Sequence, residues 1–173
     1  WALASELAAI TGKASAASFK HTSPAGAAVA LPWDQVPAPQ QSLLNSLYGL
    51  DASSGEGVIA YCRARNADPQ SSFGDFIGYS GVVDAELAKL LQKQITDGII
   101  AAGYSDEALE ILSKKKKGGF VVAVGAPAPP VTENAVEFRE MWGFALAQPR
   151  NVSIVDESDL ADIPAEGNAR LDL

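Results

Sequence analysis

Lys20 and His21 stand side by side, directly ahead of Thr22-Ser23-Pro24-Ala25-Gly26, and His21 is the single histidine of the chain. Two cationic side chains at adjacent positions disfavour each other's charge. A neutral imidazole is a good proton acceptor near neutral pH. The pair falls at the expected end of a strand beside a Pro/Gly turn, where α/β proteins tend to place ligand sites. Geometry sets a condition on this reading. Consecutive strand residues point to opposite faces, so both side chains reach one ligand only if the chain has already left regular strand geometry. The plainer alternative is a structural or solvent-exposed histidine with no chemistry attached.

Ser71-Ser72-Phe73-Gly74-Asp75-Phe76 mixes small, aromatic and acidic residues. Its glycine permits close backbone approach to a planar ligand, and the competing reading is a strand with a bulge. Thr96-Asp97-Gly98 reads as a turn, where Asp is usually structural. The lysine run at 114–117 is best explained as cations at a helix C-terminus followed by Gly118-Gly119, not as a nucleic-acid or targeting signal. Ser54-Gly55-Glu56-Gly57 has no third glycine and follows no clear strand, so a dinucleotide or phosphate loop has almost no support. One histidine and one cysteine, Cys62, leave no metal-ligand pattern and no disulfide framework, so no metal is expected.

These residues need elements to position them. Helical spacing predicts helices over 1–10 and 40–48, while 57–65 reads as helix or strand, with helix favoured. Asp84 is expected to cap a helix with Leu87, Leu90, Leu91 and Ile95 on one face, and Ser105 a helix burying Ala108, Leu109, Ile111 and Leu112. Strands are expected over 16–19, 73–79, around Ile99 and Ile100, over 120–124, 142–147 and 153–155. Residues 21–26 read as a turn, 32–39 as a proline-rich surface loop, 126–130 as a Pro/Ala loop, and 133–141 as helix. Alternation of strands and helices argues an α/β layered fold.

The 173 residues are 47% hydrophobic, enough for a real core. A net charge of -8 argues against binding to a nucleic-acid backbone, although a few local donors can still hold one phosphate. No apolar run approaches the roughly 20 residues of a membrane helix, so no membrane partner is expected. A lone cysteine fits a reducing compartment, and the expected location is the cytosol. The chain begins at Trp1 with no initiator Met and no basic, cleavable leader, and so reads as a piece of something longer.

Four ordered blocks carry a family resemblance. They are Ala17-Ser18-Phe19-Lys20-His21-Thr22-Ser23-Pro24-Ala25-Gly26-Ala27-Ala28, YCRARNAD over 61–68, SSFGDF over 71–76, and DGIIAAGY over 97–104 continuing into EALEILSKKK over 107–116. Together they resemble the AICAR transformylase half of the bifunctional enzyme that also carries IMP cyclohydrolase. The resemblance implies transfer of a formyl group from 10-formyltetrahydrofolate, a co-substrate, to the 5-amino group of AICAR in purine biosynthesis. His21 matches the proton acceptor, and Lys20 the residue that stabilises the charge developing on the formyl oxygen. Gly74 and Asp97 match contacts to AICAR, and Phe73 is expected beside the base.

The same resemblance implies a cytidine-deaminase-like layered αβα unit without zinc, since the deaminase Pro-Cys-x-x-Cys pattern is missing. Residues 1–173 would form a single partial domain, the first such unit, with 126–173 leading toward the second. The family is homodimeric, with active sites shared between subunits. Its cyclohydrolase domain, an upstream Arg-Tyr-Gly segment and the second unit are not in this sequence, so the 173 residues alone are expected to have little activity. Residues 32–57 depart from the family pattern, and no site residue is taken from them. Two other readings stay open: a non-catalytic nucleotide-binding or dimerisation module on the same scaffold, and a zinc nucleoside deaminase, which stoichiometric zinc would revive.

Overall fold

The computed structural model describes residues 1–126 and 135–151. They belong to two units, Trp1–Ala128 and Pro129–Leu173. The first opens with α1 (Ala2–Thr11), stopped by Gly12, which takes φ +66 as an αL cap. Strands β1 (Ser15–Lys20) and β2 (Ser23–Val29) follow, then a 3₁₀ turn at Trp33–Gln35, α2 (Ala38–Tyr48) and α3 (Glu56–Arg65). Next come β3 (Asp75–Val83), α4 (Ala85–Lys93), β4 (Thr96–Tyr104), α5 (Asp106–Ser113), a 3₁₀ turn at Lys115–Gly118, and β5 (Val121–Val124).

The five strands form one mixed sheet in the order β2-β1-β3-β4-β5. β1 runs antiparallel to both its neighbours, whereas β3, β4 and β5 are parallel. Successive residues of β3 show how the sheet is covered. A Cβ on Gly78 would meet Trp1 and Ala4 at the start of α1, while the Tyr79 ring reaches Gly57 of α3. Adjacent strand residues face opposite sides, so α1 and α3 lie on opposite faces and the unit is a layered α/β/α structure. The core fills the α3 side, with Ile77, Ile99, Leu87, Leu91 and Tyr61 buried among one another.

α3 is buried almost all round, and it can lie that close to β2 because position 26 is glycine. A Cβ there would stand 2.2 Å from the Ala64 carbonyl oxygen and 2.5 Å from the Ala67 Cβ. The predicted caps are present. Leu87 N–H donates to Asp84 Oδ1 at 2.8 Å, and Ala108 N–H to Ser105 Oγ at 3.1 Å.

Several expectations are corrected. Only His21 and Thr22 form the turn, because Ser23–Val29 is an edge strand, where Pro24 costs no ladder hydrogen bond to a second neighbour. The proline-rich loop holds the 3₁₀ turn, and α2 begins inside it at Ala38. Ile95 lies beyond the end of α4 and is exposed, and Leu109 also faces solvent. α5 ends at Ser113, a turn before the end of the lysine run.

In the second unit, the helix expected over 133–141 is strand β6 (Val136–Met141) over its described part, paired antiparallel with β7 (Phe144–Pro149) around Trp142-Gly143. Alternation along Val136-Glu137-Phe138-Arg139 has period two, and it prevailed over the helical reading. The strand expected at 153–155 lies outside the described residues.

Candidate functional site

Lys20 closes β1 and pairs with Ser23, leaving His21-Thr22 as a two-residue hairpin loop. Such loops require positive φ at their first position to match the twist of the strands. His21 has φ +56, a conformation that His tolerates better than most side chains. This departure meets the geometric condition set by strand alternation. The turn swings His21 out of the pleat, and both Lys20 and His21 line one open groove of about 580 Å³. Its other walls are Ser23, Pro24 and Ala25 of β2, and Asp68, Gln70, Ser71 and Phe73 of the loop before β3. His21 is exposed. Its other side borders a smaller hollow of about 210 Å³, lined by Trp1, Phe19, Phe76, Gly78 and Ile100.

Irregularities of the sheet build the rim. Ser18 pairs with Gly26 and Phe19 with Pro24, so Ala25 is an extra residue in β2. Asp75 pairs with Thr96 and Phe76 with Gly98, so Asp97 is an extra residue in β4. Bulges re-aim side chains out of the pleat; Ala25 lines the groove, and Asp97 lies near Gly74.

The Lys20 ammonium donates to the carbonyls of Phe73 at 2.9 Å and Gly74 at 3.1 Å. Gly74 takes φ +70. A Cβ there would stand 3.0 Å from Lys20 Nζ and 3.9 Å from Asp97 Oδ2. Gly74 therefore lies between the cation and the carboxylate. Lys116 donates to Asp97 Oδ1, and this hydrogen bond holds the Asp97 carboxyl below the usual carboxylate range, with the charges of Lys116 and Lys20 acting the same way. The structure thus gathers Lys20, His21, Phe73, Gly74 and Asp97 around one region. Phe73 is 60% exposed, its ring free to meet a ligand. The region stands at the C-terminal end of β1 and the N-terminal ends of β3 and β4. Open parallel sheets usually use their carboxyl ends; here antiparallel β1 delivers its end to the opposite edge.

The lysine run is not a simple solvated helix end. Lys114 pairs with Glu110 at 2.7 Å, and Lys115 is 7% exposed with its ammonium on the Gln94 carbonyl at 2.6 Å and 5.3 Å from the centre of the Phe120 ring. Lys116 and Lys117 both take positive φ, which directs Lys116 to Asp97.

Sequence reasoning missed the buried polar cluster behind the groove. Asp75 is fully buried. Its Oδ1 accepts from Arg65 at 2.9 Å, and its Oδ2 lies 2.7 Å from Ser18 Oγ and 3.5 Å from the Tyr61 hydroxyl. Arg65 also donates to the Ser72 carbonyl at 2.8 Å and to Tyr61 at 3.2 Å. Burial, then the Asp75 charge, pushes the Tyr61 hydroxyl well above its ordinary range. The available signals were a serine in the apolar run of β1 and an arginine, Arg65, closing a helix that is buried over most of its length. Among the described residues, no group of His, Cys, Asp and Glu is arranged to hold a metal ion, and no helix is long and apolar enough to cross a membrane.

Comparison with known proteins bears on the family. The family described as AICARFT/IMPCHase bienzyme matches residues 1–169. The bifunctional purine biosynthesis protein PurH of Mesorhizobium japonicum is 34% identical over 113 residues, covering 62% of this chain and 21% of that protein. The chain thus spans about a fifth of the length of that curated relative. With a match over nearly its whole length, the chain belongs to the AICARFT/IMPCHase bienzyme family.

Proposed function

We propose that this chain carries the Lys–His part of an AICAR transformylase site in a bifunctional enzyme of purine biosynthesis. The arylamine nitrogen of AICAR attacks the formyl carbon of 10-formyltetrahydrofolate. That amine is a poor nucleophile, because its lone pair is conjugated into the ring and carboxamide, so a base must take its proton as the bond forms. His21 is that base, exposed on the groove and turned out of the pleat. The formyl oxygen becomes an oxyanion in the tetrahedral intermediate, and the Lys20 ammonium stabilises it. Collapse expels tetrahydrofolate, whose nitrogen recovers a proton, and leaves formyl-AICAR. Gly74 and Asp97 contact AICAR, and Phe73 packs beside its base. The active enzyme is a cytosolic homodimer whose subunits share each site, with no nucleic-acid or membrane partner.

The observation that carries this reading is the convergence of Lys20 and His21 on one open groove, across a turn that removes the strand's opposition of neighbouring side chains. The test is steady-state kinetics and AICAR binding on the full-length protein. His21→Ala is expected to lower kcat by about 10²-fold or more, the usual scale for a positioned base. Lys20→Ala is expected to lower it by about 10²–10³-fold, as for loss of an oxyanion partner. AICAR binding should persist in the histidine variant. Unchanged turnover in both variants would favour the alternative, a non-catalytic nucleotide-binding or dimerisation module.

A further inference from the structure

Lys20 can steady an oxyanion only if its ammonium is held still, and it is the backbone that holds it. Its two partners, the carbonyls of Phe73 and Gly74, belong to the loop that enters β3. A loop carbonyl is a poor anchor unless the loop is itself fixed. Here the fixing comes from below. Arg65 donates to the Ser72 carbonyl, one residue before Phe73, and to the carboxylate of Asp75, one residue after Gly74. It thereby grips both sides of the dipeptide that holds the lysine. Its second nitrogen lies 3.5 Å from the Ile95 carbonyl, the group that accepts from Gly74 N–H at 3.0 Å. Thr96 Oγ1 donates to the Asp75 carbonyl at 2.9 Å and ties the same segment to β4.

Ser18 links this assembly to the strand that carries Lys20. It lies two residues before the lysine in β1, on the same face of the pleat. Its hydroxyl is 2.7 Å from Asp75 Oδ2 and 2.9 Å from Ser72 Oγ. A hydroxyl has one proton and two acceptor lone pairs. With that proton given to the carboxylate, the stronger acceptor, the Ser72 hydroxyl donates to Ser18. Ser18, Ser72 and Asp75 are fully buried, and Arg65 is nearly so. The side chains that fix the Phe73-Gly74 dipeptide therefore bond to one another and to backbone carbonyls inside the protein.

We propose that Arg65, Asp75, Ser18 and Ser72 are positioning residues for Lys20, acting through the Phe73 and Gly74 carbonyls. None of the four borders the groove behind which they sit. The consequence for turnover rests on the reading of Lys20 given above, whereas the consequence for the lysine itself does not. Disturbing the cluster frees the ammonium from its carbonyl partners without removing any group that touches substrate.

Two variants of the full-length protein test this. Arg65→Lys keeps a positive charge beside Asp75 but loses the planar fork that spans several acceptors. Ser18→Ala removes the link to β1 with the smallest change in volume, and it carries the test if the arginine variant does not fold. The first readout is the rate of acetylation of individual lysines by acetic anhydride, followed by mass spectrometry. Lys20 is expected to react several-fold faster in each folded variant, while Lys89, paired with Glu107 on the surface, keeps its rate. An unchanged Lys20 rate in folded variants overturns the proposal.

The second readout is kinetic. Both variants are expected to lose about tenfold in kcat with the KM for AICAR within twofold, the pattern of an interaction made in the transition state alone. A rise in KM with kcat intact overturns the catalytic part. Freed Lys20 together with full turnover in Lys20→Ala would instead overturn the formyl-transfer reading and leave the positioning role standing.

Discussion

At the residue scale, the site is built from backbone conformations that most side chains avoid. His21, next to Lys20 in the chain, takes φ +56, and Gly74, whose carbonyl accepts from the Lys20 ammonium, takes φ +70. The two are strained to different degrees. A histidine in the left-handed region pays roughly 1–2 kcal/mol, a cost of the kind that collects at functional sites. Gly74 pays almost nothing, because it has no Cβ. Gly74→Ala should therefore act twice over. It adds about 1 kcal/mol of backbone strain, enough to lower the melting temperature by roughly 2–4 °C in a chain of this size. It also places a methyl 3.0 Å from Lys20 Nζ. That contact is with the end of a flexible chain, so the lysine moves and the fold survives. Calorimetry should show the modest loss of stability. Turnover in the full-length protein should fall far more than the calorimetry alone explains. A variant with normal turnover would show that the lysine does not need its present place.

At the scale of elements, the parts of the fold that were legible in the sequence are those set by local chemistry. Asp84 and Ser105 announced their helices because a cap is a side chain bonding to a backbone only three residues away. The strands carrying Ala16, Ile77 and Ile99 were readable from short buried-type runs. What escaped was set by partners distant in sequence. Residues 23–26 include Pro and Gly and read as part of a turn, yet they open the strand Ser23–Val29 because β1 pairs with it and α3 lies upon it. The residues at the groove were likewise named one by one from type and resemblance. The bulge that re-aims Asp97 and the cluster behind Gly74 depend on registers and contacts that no local window holds. The contrast between local and distant constraint can be measured. Asp84→Ala removes one cap and should cost about 1 kcal/mol. Gly26→Ala drives a methyl into the Ala64 carbonyl at 2.2 Å, where neither backbone can give way. It should cost more than the roughly 1–3 kcal/mol typical of an overpacked core. Urea unfolding of the two variants should rank them clearly, and equal destabilisation would mean that α3 can lift from β2.

At the scale of the whole molecule, the same burial that fixes the core also commits its tyrosines. The chain has four, Tyr48, Tyr61, Tyr79 and Tyr104, and all lie in the first unit. Burial pushes each upward, Tyr79 and Tyr104 to about 12 and Tyr61 well above the ordinary value. A group whose value is raised by folding contributes stability that is whole below its unfolded value, near 10 for tyrosine, and is lost as pH climbs through the folded one. The fold should therefore hold up to about pH 10 and fail between there and about pH 12. Absorbance at 295 nm should show no tyrosine ionising at its ordinary pH in the folded chain. The rise should coincide with loss of far-ultraviolet circular dichroism, and in urea the same four should titrate near 10. Growing negative charge also opposes compactness at high pH, so one variant separates the causes. Tyr79→Phe cannot ionise, and its hydroxyl lies against Gly57 and Gly81 in the core. It should shift the alkaline transition to higher pH, whereas a transition driven by overall charge alone would stay where it was.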